Sequence, residues 1–480
     1  MSLAATVARN TIAGFAGQAA LRLLQLATSA VLARALGAAG FGDFGYLIAV
    51  ITFFQFLGDL GVEKIAVREI ARDPARAAEL AGAAITLRAA LSVAAALGAI
   101  VFFLAAAPSA DLSRLGALCA LAIPLTLASI YPAYYQAMLR VPAAMRITLV
   151  QGALASALLL AGALLPRLAP SLDGARLALV TAAFALAGPA SFAASAWLAR
   201  ADLRPRLSAD REAWGRLLRA AAPLAFNSIC ILVSLRADQV ILRSVQGAEA
   251  LGRYSAALRL YDALTVVPMV LLLSGFPIMA RAAGQAPERR ARTAAWNYRI
   301  LSAFILPVAL ATTILAGPIL RGVFGAPYAP AAPALALLTW SLFFSFSAMV
   351  TFDAITAAGK QRLFVGLSIF TTTLNLALNL WLIPRYGTTG AAVAALVNSA
   401  ASLPVLAALG ETRPFIAAFT RESARPLLAT GVLALGFAAG IPRIPFLIGL
   451  LPAYLVLLRV TGGIRRGDLA RLLGAIRPPT

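Results

Sequence analysis

The sequence has 480 residues, of which 61% are hydrophobic and only 12% are charged. Soluble domains are about half apolar and a quarter charged, so the composition excludes an ordinary soluble protein and indicates a polytopic helical membrane protein. The net charge of +22 suggests no nucleic-acid partner here, because Lys and Arg gather in short loops between apolar segments, as membrane topology requires. The chain has no histidine, which excludes a Ser-His-Asp triad, and its two cysteines lie in separate apolar segments. We therefore expect no metal and no cofactor.

The first apolar segment carries a permanent charge. The stretch "GQAALRLLQLATSAVLARAL", Gly17 to Leu36, contains Arg22, with Gln18 one turn before it and Gln25 one turn after it. The following "ARALGAAG" could pass for a signal-peptidase site. The apolar run is longer than a signal peptide's core and more apolar runs follow, so we expect this span to stay in the mature protein.

Fourteen membrane spans are predicted by division at charge, Gly and Pro clusters. In chain order they are 10–36, 42–66, 80–107, 114–139, 144–166, 175–199, 217–243, 252–280, 295–318, 331–358, 362–383, 388–410, 424–441 and 444–461. With this alternation, 28 of the 41 basic residues fall on one side and nine on the other. The positive-inside rule then places both termini in the cytoplasm.

Polar residues recur at helical spacing inside several of these spans. Gln18, Arg22 and Gln25 share one face of span one, while Asp59 ends a polar stripe on span two and Arg88 lies on span three. The other in-span candidates are Asn227, Arg236 and Asp238 on span seven, Arg259 and Asp262 on span eight, and Asp353 on span ten. An arginine that faces lipid costs about 2.5–3.5 kcal/mol, so such residues are expected to face water or an anion.

An internal repeat is indicated by "GAAGFGDF" (37–44) and "GAEALGRY" (247–254), in which Gly37, Ala38 and Gly42 match residues exactly 210 positions later. A weaker similarity relates "LLPRLAPSLDGA" to "LIPRYGTTGAA". Spans one to six and seven to twelve then form two parallel lobes. The predicted division is a lobe over 1–200, a cytoplasmic linker over 201–216, a lobe over 217–411, two further helices over 421–461 and a basic tail over 462–480.

Three stretches carry a family resemblance: "ARALGAAGFGDFGYL" after span one, "DLGVEKIAVREIARD" (Asp59–Asp73) and "IPRYGTTGAAVA" (Ile383–Ala394). They resemble the Wzx-type oligosaccharide flippases, in the polysaccharide-biosynthesis branch of the multidrug/oligosaccharidyl-lipid/polysaccharide exporter superfamily. The resemblance implies an all-α fold of about 14 transmembrane helices, with two six-helix lobes related by a pseudo-two-fold axis and two C-terminal helices. It also implies a V-shaped cationic cavity, lined largely by spans one, two, seven and eight.

The implied function is movement of an undecaprenyl-pyrophosphate-linked oligosaccharide from the cytoplasmic to the periplasmic leaflet of the bacterial inner membrane. A guanidinium group can bind pyrophosphate through two hydrogen bonds, so Arg22, Arg236 and Arg259 are the first phosphate candidates. Arg88, Gln18, Gln25 and Asn227 are weaker cavity candidates. Arg259 and Asp262 could instead neutralise each other, and Arg236 could reach the membrane interface.

The carboxylates Asp59, Asp238, Asp262 and Asp353 are candidates for coupling or gating. The sequence leaves open whether protons, sodium or the membrane potential drives transport. The alternatives are a multidrug cation exporter or a lipid II flippase of the same superfamily, and, as a different class, a membrane enzyme. The short loops and the lack of histidine oppose an enzyme. We expect a monomer that contacts membrane lipids and that works beside a polymerase and a chain-length regulator.

Overall fold

The computed structural model describes residues 3–463, apart from 126, 267, 270–278, 280–283, 359 and 361–362. The described residues form α-helices, short 3-10 turns and loops, without a β-strand. The helices of the first half are α1 (Leu3–Asp59), α2 (Val62–Arg72), α3 (Ala77–Ala106), α4 (Ala110–Ala120), α5 (Ile130–Ala137), α6 (Val141–Leu168), α7 (Arg176–Ala199) and α8 (Arg211–Leu264). Those of the second half are α9 (Pro287–Val323), α10 (Ala332–Ala357), α11 (Leu363–Ala408), α12 (Arg413–Ala438) and α13 (Arg443–Val460). The all-α prediction is confirmed.

Three of these helices are long because each joins two predicted spans through a sharp kink. The kinks lie at Gly37 in α1, Gly247 in α8 and Gly387 in α11, and all three glycines have a positive φ. An L side chain is strained at a positive φ, so glycine is the residue that allows the chain to bend there. The predicted breaks after spans one, seven and eleven are therefore kinks within continuous helical segments.

The prediction that span four is one continuous helix was wrong. Residues 114–139 were expected to make one helix, but α4 ends at Ala120, a 3-10 turn covers Ile123–Leu125, and α5 begins only at Ile130. Pro124 lies in that turn, and a proline inside a helix removes a backbone hydrogen bond and clashes with the preceding turn. The end of predicted span eight, from residue 270, lies outside the described residues, as does the tail from residue 464.

Seven helical segments within the described residues are long and apolar enough to cross a membrane, including Ala16–Arg72 and Leu363–Ala408, each of which holds two predicted spans. Large apolar side chains are exposed along them, for example Leu97, Val101 and Leu104 on α3. An exposed apolar stripe of this kind is the surface that lipid covers. The chain is a multi-pass membrane protein, and the count of fourteen spans stays a prediction.

The chain divides into two compact units: one is Arg9–Ala256, and the other combines the start of the chain, up to Ala8, with the described residues from Ala257 onward. In the first, the amphipathic helix α2 buries Val62, Ile65, Ala66 and Ile70 against α3 and α5. In the second, Tyr298 of α9 lies in the core with Phe343 of α10 and Phe419 of α12. Helix α8 begins at Arg211, so the last residues of the predicted linker are helical.

Candidate functional site

The two kinked helices of the first unit have matching backbones at their kinks. Gly37 has φ 69° and ψ 175°, and Gly247 has φ 87° and ψ 180°. This region of backbone space is essentially restricted to glycine. The sequence repeat therefore corresponds to a repeat in three dimensions, because the same unusual conformation recurs 210 residues later.

One turn beyond the kinks, α1 and α8 cross at backbone contact. A Cβ atom added to Gly42 would lie 1.8 Å from the carbonyl oxygen of Ala248, and one added to Gly252 would lie 1.8 Å from that of Ala38. The contact is reciprocal, since Gly42 and Ala38 are the repeat partners of Gly252 and Ala248. Small residues let two membrane helices approach this closely. The repeat copies thus meet at a local two-fold crossing, which we call the glycine crossing (Ala38, Gly42, Ala248 and Gly252).

Two carboxylates are held beside the glycine crossing, Asp43 by a residue of the opposite helix and Asp238 by a residue of its own helix α8. Asp43 Oδ1 lies 2.7 Å from Nε of Arg243, with both side chains largely buried. Asp238 Oδ2 accepts a 2.7 Å hydrogen bond from the Tyr254 hydroxyl. Asp238, predicted as a coupling residue, therefore lies in a packed contact near the crossing, and its coupling role stays a prediction.

A second charged cluster surrounds Arg88, where α1 ends. Its Nε lies 2.8 Å from Asp59 Oδ1, its Nη1 donates to Ser129 Oγ at 3.0 Å, and its Nη2 lies 3.9 Å from Glu63 Oε2. The Nε contact is a charge contact without an aligned hydrogen bond. Ser129 Oγ also donates to Glu63 Oε2 at 2.5 Å. The Arg88 side chain, which is 7% exposed, thus has its charge compensated by two carboxylates of the protein itself.

Asp59 has a second task at the same place. Its carboxylate accepts hydrogen bonds from the backbone N–H groups of Gly61 and Glu63, at 3.0 and 3.3 Å. Leu60 and Gly61 both have a positive φ, so the chain turns sharply between α1 and α2. Asp59 caps α2 across this turn while it binds Arg88. The predicted roles of Asp59 in coupling and of Arg88 in substrate binding stay predictions, and the geometry gives both residues a structural function.

Arg22 has a different environment from Arg88. Within the described part of the chain, its partly exposed guanidinium has no hydrogen bond and no ion pair. Gln18 and Gln25 on the same face are exposed, whereas Ser29, one turn further on, is buried. Gly17, which precedes this face, packs closely against α6, because a Cβ added to it would lie 2.0 Å from Met145 Cγ.

Arg236 lies at a cavity of about 210 Å³ between α1, α3 and α8. The lining residues are Ala49, Val50, Phe53, Phe54, Phe102, Val233, Arg236, Ala237 and Val240. Arg236 is the only charged residue in this set, and its Nε is buried without a hydrogen-bond partner among the described atoms. The side chain of Asn227, a further candidate on α8, lies outside the described residues.

The remaining candidates belong to the second unit. Arg259, Asp262 and Asp353 are each partly exposed. The sequence analysis missed the ion pairs that join α9 to α12 and to Glu411 just before it. The two partners of each of these pairs lie more than one hundred residues apart in the sequence. Arg299 Nη1 lies 2.8 Å from Glu422 Oε2, and Glu411 binds both Arg290 and Lys360. These pairs join α9 to α12 and to the residues just before it.

The family model described as "Polysaccharide biosynthesis protein" matches residues 7–283, more than half of the chain. The chain belongs to this family. The match includes α1, α8 and the glycine crossing between them. A second model, MatE, matches residues 223–381.

A curated relative is described as "Putative O-antigen transporter" of Shigella flexneri, which is 24% identical over 403 residues and covers 81% of this chain and 94% of that protein. Among solved structures, "Lipid II flippase MurJ, inward closed conformation" covers 96% of this chain and 99% of its own, with 14% identity and a TM-score of 0.71. An inward-facing multidrug resistance MATE transporter of the MOP superfamily covers 84% and 96%, with 16% identity and a TM-score of 0.59. The relatives are transporters and flippases, not enzymes. The predicted family and fold are confirmed.

Proposed function

We propose that this protein is a flippase that moves an undecaprenyl-pyrophosphate-linked oligosaccharide across the bacterial inner membrane by alternating access. The family match and the O-antigen transporter relative support polysaccharide export, and the likeness to a lipid II flippase supports the fold. The observation that carries the proposal is the contrast within one unit between Arg88, which is compensated by carboxylates, and Arg22, which has no ion pair among the described residues.

The charge sign selects the substrate class. An arginine within a membrane span costs about 2.5–3.5 kcal/mol unless water or an anion meets it. Guanidinium groups bind phosphate oxygens through paired hydrogen bonds and keep their charge at any physiological pH. Arg22 lies on a polar, exposed face with Gln18 and Gln25, which supports a wet binding surface. In this proposal Arg22 binds the pyrophosphate, with Arg236 as a further contact, and Arg259 stays a phosphate candidate from the sequence.

The glycine kinks and the glycine crossing suit a helix pair that changes its packing during transport. Small residues let the two backbones lie in direct contact, so the crossing can act as the point about which the two helices pivot. The driving force, whether H⁺, Na⁺ or membrane potential, remains part of the proposal, as do the cytoplasmic termini and a polymerase and chain-length regulator as partners.

The test is assembly of surface glycan in cells that lack the native gene. Arg22→Lys keeps the charge but loses the planar fork, so glycan should fall, and Arg22→Gln should reduce it further. Arg321→Gln is the matched control, because Arg321 is exposed in the last turn of α9. Normal glycan in Arg22→Gln cells, with normal protein level, would overturn the proposal.

A multidrug cation exporter is the second candidate, favoured by the MatE match over residues 223–381. Such a protein requires acidic groups that face its substrate. The two functions are separated by testing drug susceptibility in the same cells. Increased resistance that survives Arg22→Gln but is lost on Asp353→Asn would favour the exporter.

A further inference from the structure

The cavity beside Arg236 is built from hydrocarbon on every side but one. Phe53, Phe54 and Phe102 supply an aromatic wall, with ring centroids 5.6 Å apart for the first pair and 6.1 Å apart for Phe54 and Phe102. Val233 and Val240 of α8 face them across the cavity. An apolar cavity of this kind stays dry and takes up hydrocarbon; an engineered cavity of roughly 150 Å³ binds benzene. At about 210 Å³, it has room for roughly one or two isoprene units.

The single charged residue determines what the hydrocarbon must be attached to. Arg236 lines the same cavity, and its buried Nε lacks a hydrogen-bond partner among the described atoms. A buried donor without a partner is costly, so an anionic acceptor at this position is favourable. The occupant that satisfies both features has a hydrocarbon group and a phosphate close together.

We propose that this cavity binds the first isoprene units of a polyprenyl pyrophosphate, next to Arg236, which binds the phosphate. In a prenyl phosphate, branched hydrocarbon begins one C–O bond from the phosphate. In a glycerophospholipid, glycerol and two esters intervene, and among the lining residues only Arg236 is charged and none of the others has a polar side chain. The proposal deepens the proposed function and rests on it, since it assigns a lipid-chain subsite to the same substrate.

The subsite also gives a reason for the carrier lipid to be recognised apart from its sugar. Hydrocarbon that moves from the bilayer into an apolar pocket gains no hydrophobic free energy, so the selectivity comes from shape. A pocket that fits branched hydrocarbon directly beside the phosphate would select prenyl carriers over ordinary membrane lipids, whatever glycan they carry.

The experiment measures binding to purified full-length protein in detergent with three probes: radiolabelled farnesyl pyrophosphate, dodecyl pyrophosphate with the same main-chain length but no branches, and inorganic pyrophosphate. Wild type should bind farnesyl pyrophosphate at least roughly tenfold more tightly than inorganic pyrophosphate, and more tightly than the linear probe. Val233→Phe fills the cavity and should abolish this preference while binding of inorganic pyrophosphate is unchanged. Val245→Phe, on an exposed position of the same helix, should behave as wild type.

Arg236→Gln separates the chain subsite from the anion site. It should weaken binding of all three probes, whereas Val233→Phe should affect only the prenyl preference. Phe54→Ala, which removes one wall, is a second chain variant in case Val233→Phe folds poorly, and it should reduce the preference in part.

A farnesyl preference that survives both chain variants overturns the subsite. Bound farnesyl pyrophosphate should not be displaced by an equal concentration of phosphatidic acid. Displacement would also overturn the subsite, because an ordinary phospholipid would then be the occupant. If Arg22→Gln and Arg236→Gln leave pyrophosphate binding intact, the proposed anion site fails instead.

Discussion

Arg88 and Arg22 are both arginines inside apolar helices of one compact unit, yet their surroundings are opposite. Arg88 is almost fully buried and contacts Asp59, Glu63 and Ser129. Arg22 is partly exposed and has no ion pair within the described residues. The comparison teaches that a charge in a membrane span can serve packing or binding, and that the nearest carboxylate on another helix decides between the two.

The largest expected effect on stability is at Arg88. Arg88→Gln leaves Asp59 and Glu63 without a cation, and breaking a buried pair costs about 3–5 kcal/mol. The detergent-solubilised protein should therefore unfold at a clearly lower temperature. Arg22→Gln should leave the unfolding temperature unchanged, since no carboxylate loses its partner.

The control for this prediction is Arg216→Gln. Arg216 pairs with Glu212 at 2.6 Å, but both side chains are more than half exposed, so the pair contributes at most about 1 kcal/mol. Equal unfolding temperatures for Arg88→Gln and Arg216→Gln would remove the structural function assigned to Arg88.

The glycine crossing gives the next effect. Gly252→Ala places a methyl group where the Ala38 carbonyl lies, so the helices must separate, at about 1–3 kcal/mol. Gly215→Ala, in the same helix α8 with no atom within 4 Å of the added Cβ, should be neutral or stabilising by up to about 1 kcal/mol. Thermal unfolding of the two variants checks this. A Gly252→Ala protein as stable as Gly215→Ala would show that the close contact is absent in solution.

The smallest effect concerns the loop between α7 and α8. The Tyr135 hydroxyl and Arg140 donate hydrogen bonds to Asp202, which holds the pKa of that carboxyl below its usual range. The stabilisation is therefore present above the ordinary aspartate pKa and is lost as the pH falls through the lowered value. Because Asp202 is 38% exposed, the contribution is below about 1 kcal/mol. Asp202→Asn should lower the unfolding temperature slightly at pH 7 and progressively less as the pH falls below the ordinary aspartate pKa, and an equal decrease at every pH would contradict this account.

The sequence predicted what depends on local pattern. Clusters of charge, Gly and Pro located the breaks between apolar spans, and Gly37 and Gly247, which indicated the repeat, lie at two of these breaks. The broken span at Pro124 was missed because apolar composition outweighed a single proline. Which arginine is compensated could not be read from the sequence, since Arg88 and Asp59 lie on different helices and meet only through the turn at Leu60 and Gly61.

The central claim is that Arg22 lines an aqueous, anion-binding surface, and cysteine labelling tests it most directly. Single cysteines at positions 22 and 23, in a background without Cys119 and Cys230, are treated with a small charged thiol reagent in membranes. Leu23 is also exposed but is apolar and lies about 100° around α1 from position 22, so the cysteine at position 22 should react more than the one at 23, and a polyprenyl pyrophosphate should protect it. Equal labelling at both positions, or labelling at 22 that the pyrophosphate lipid leaves unchanged, would contradict the account.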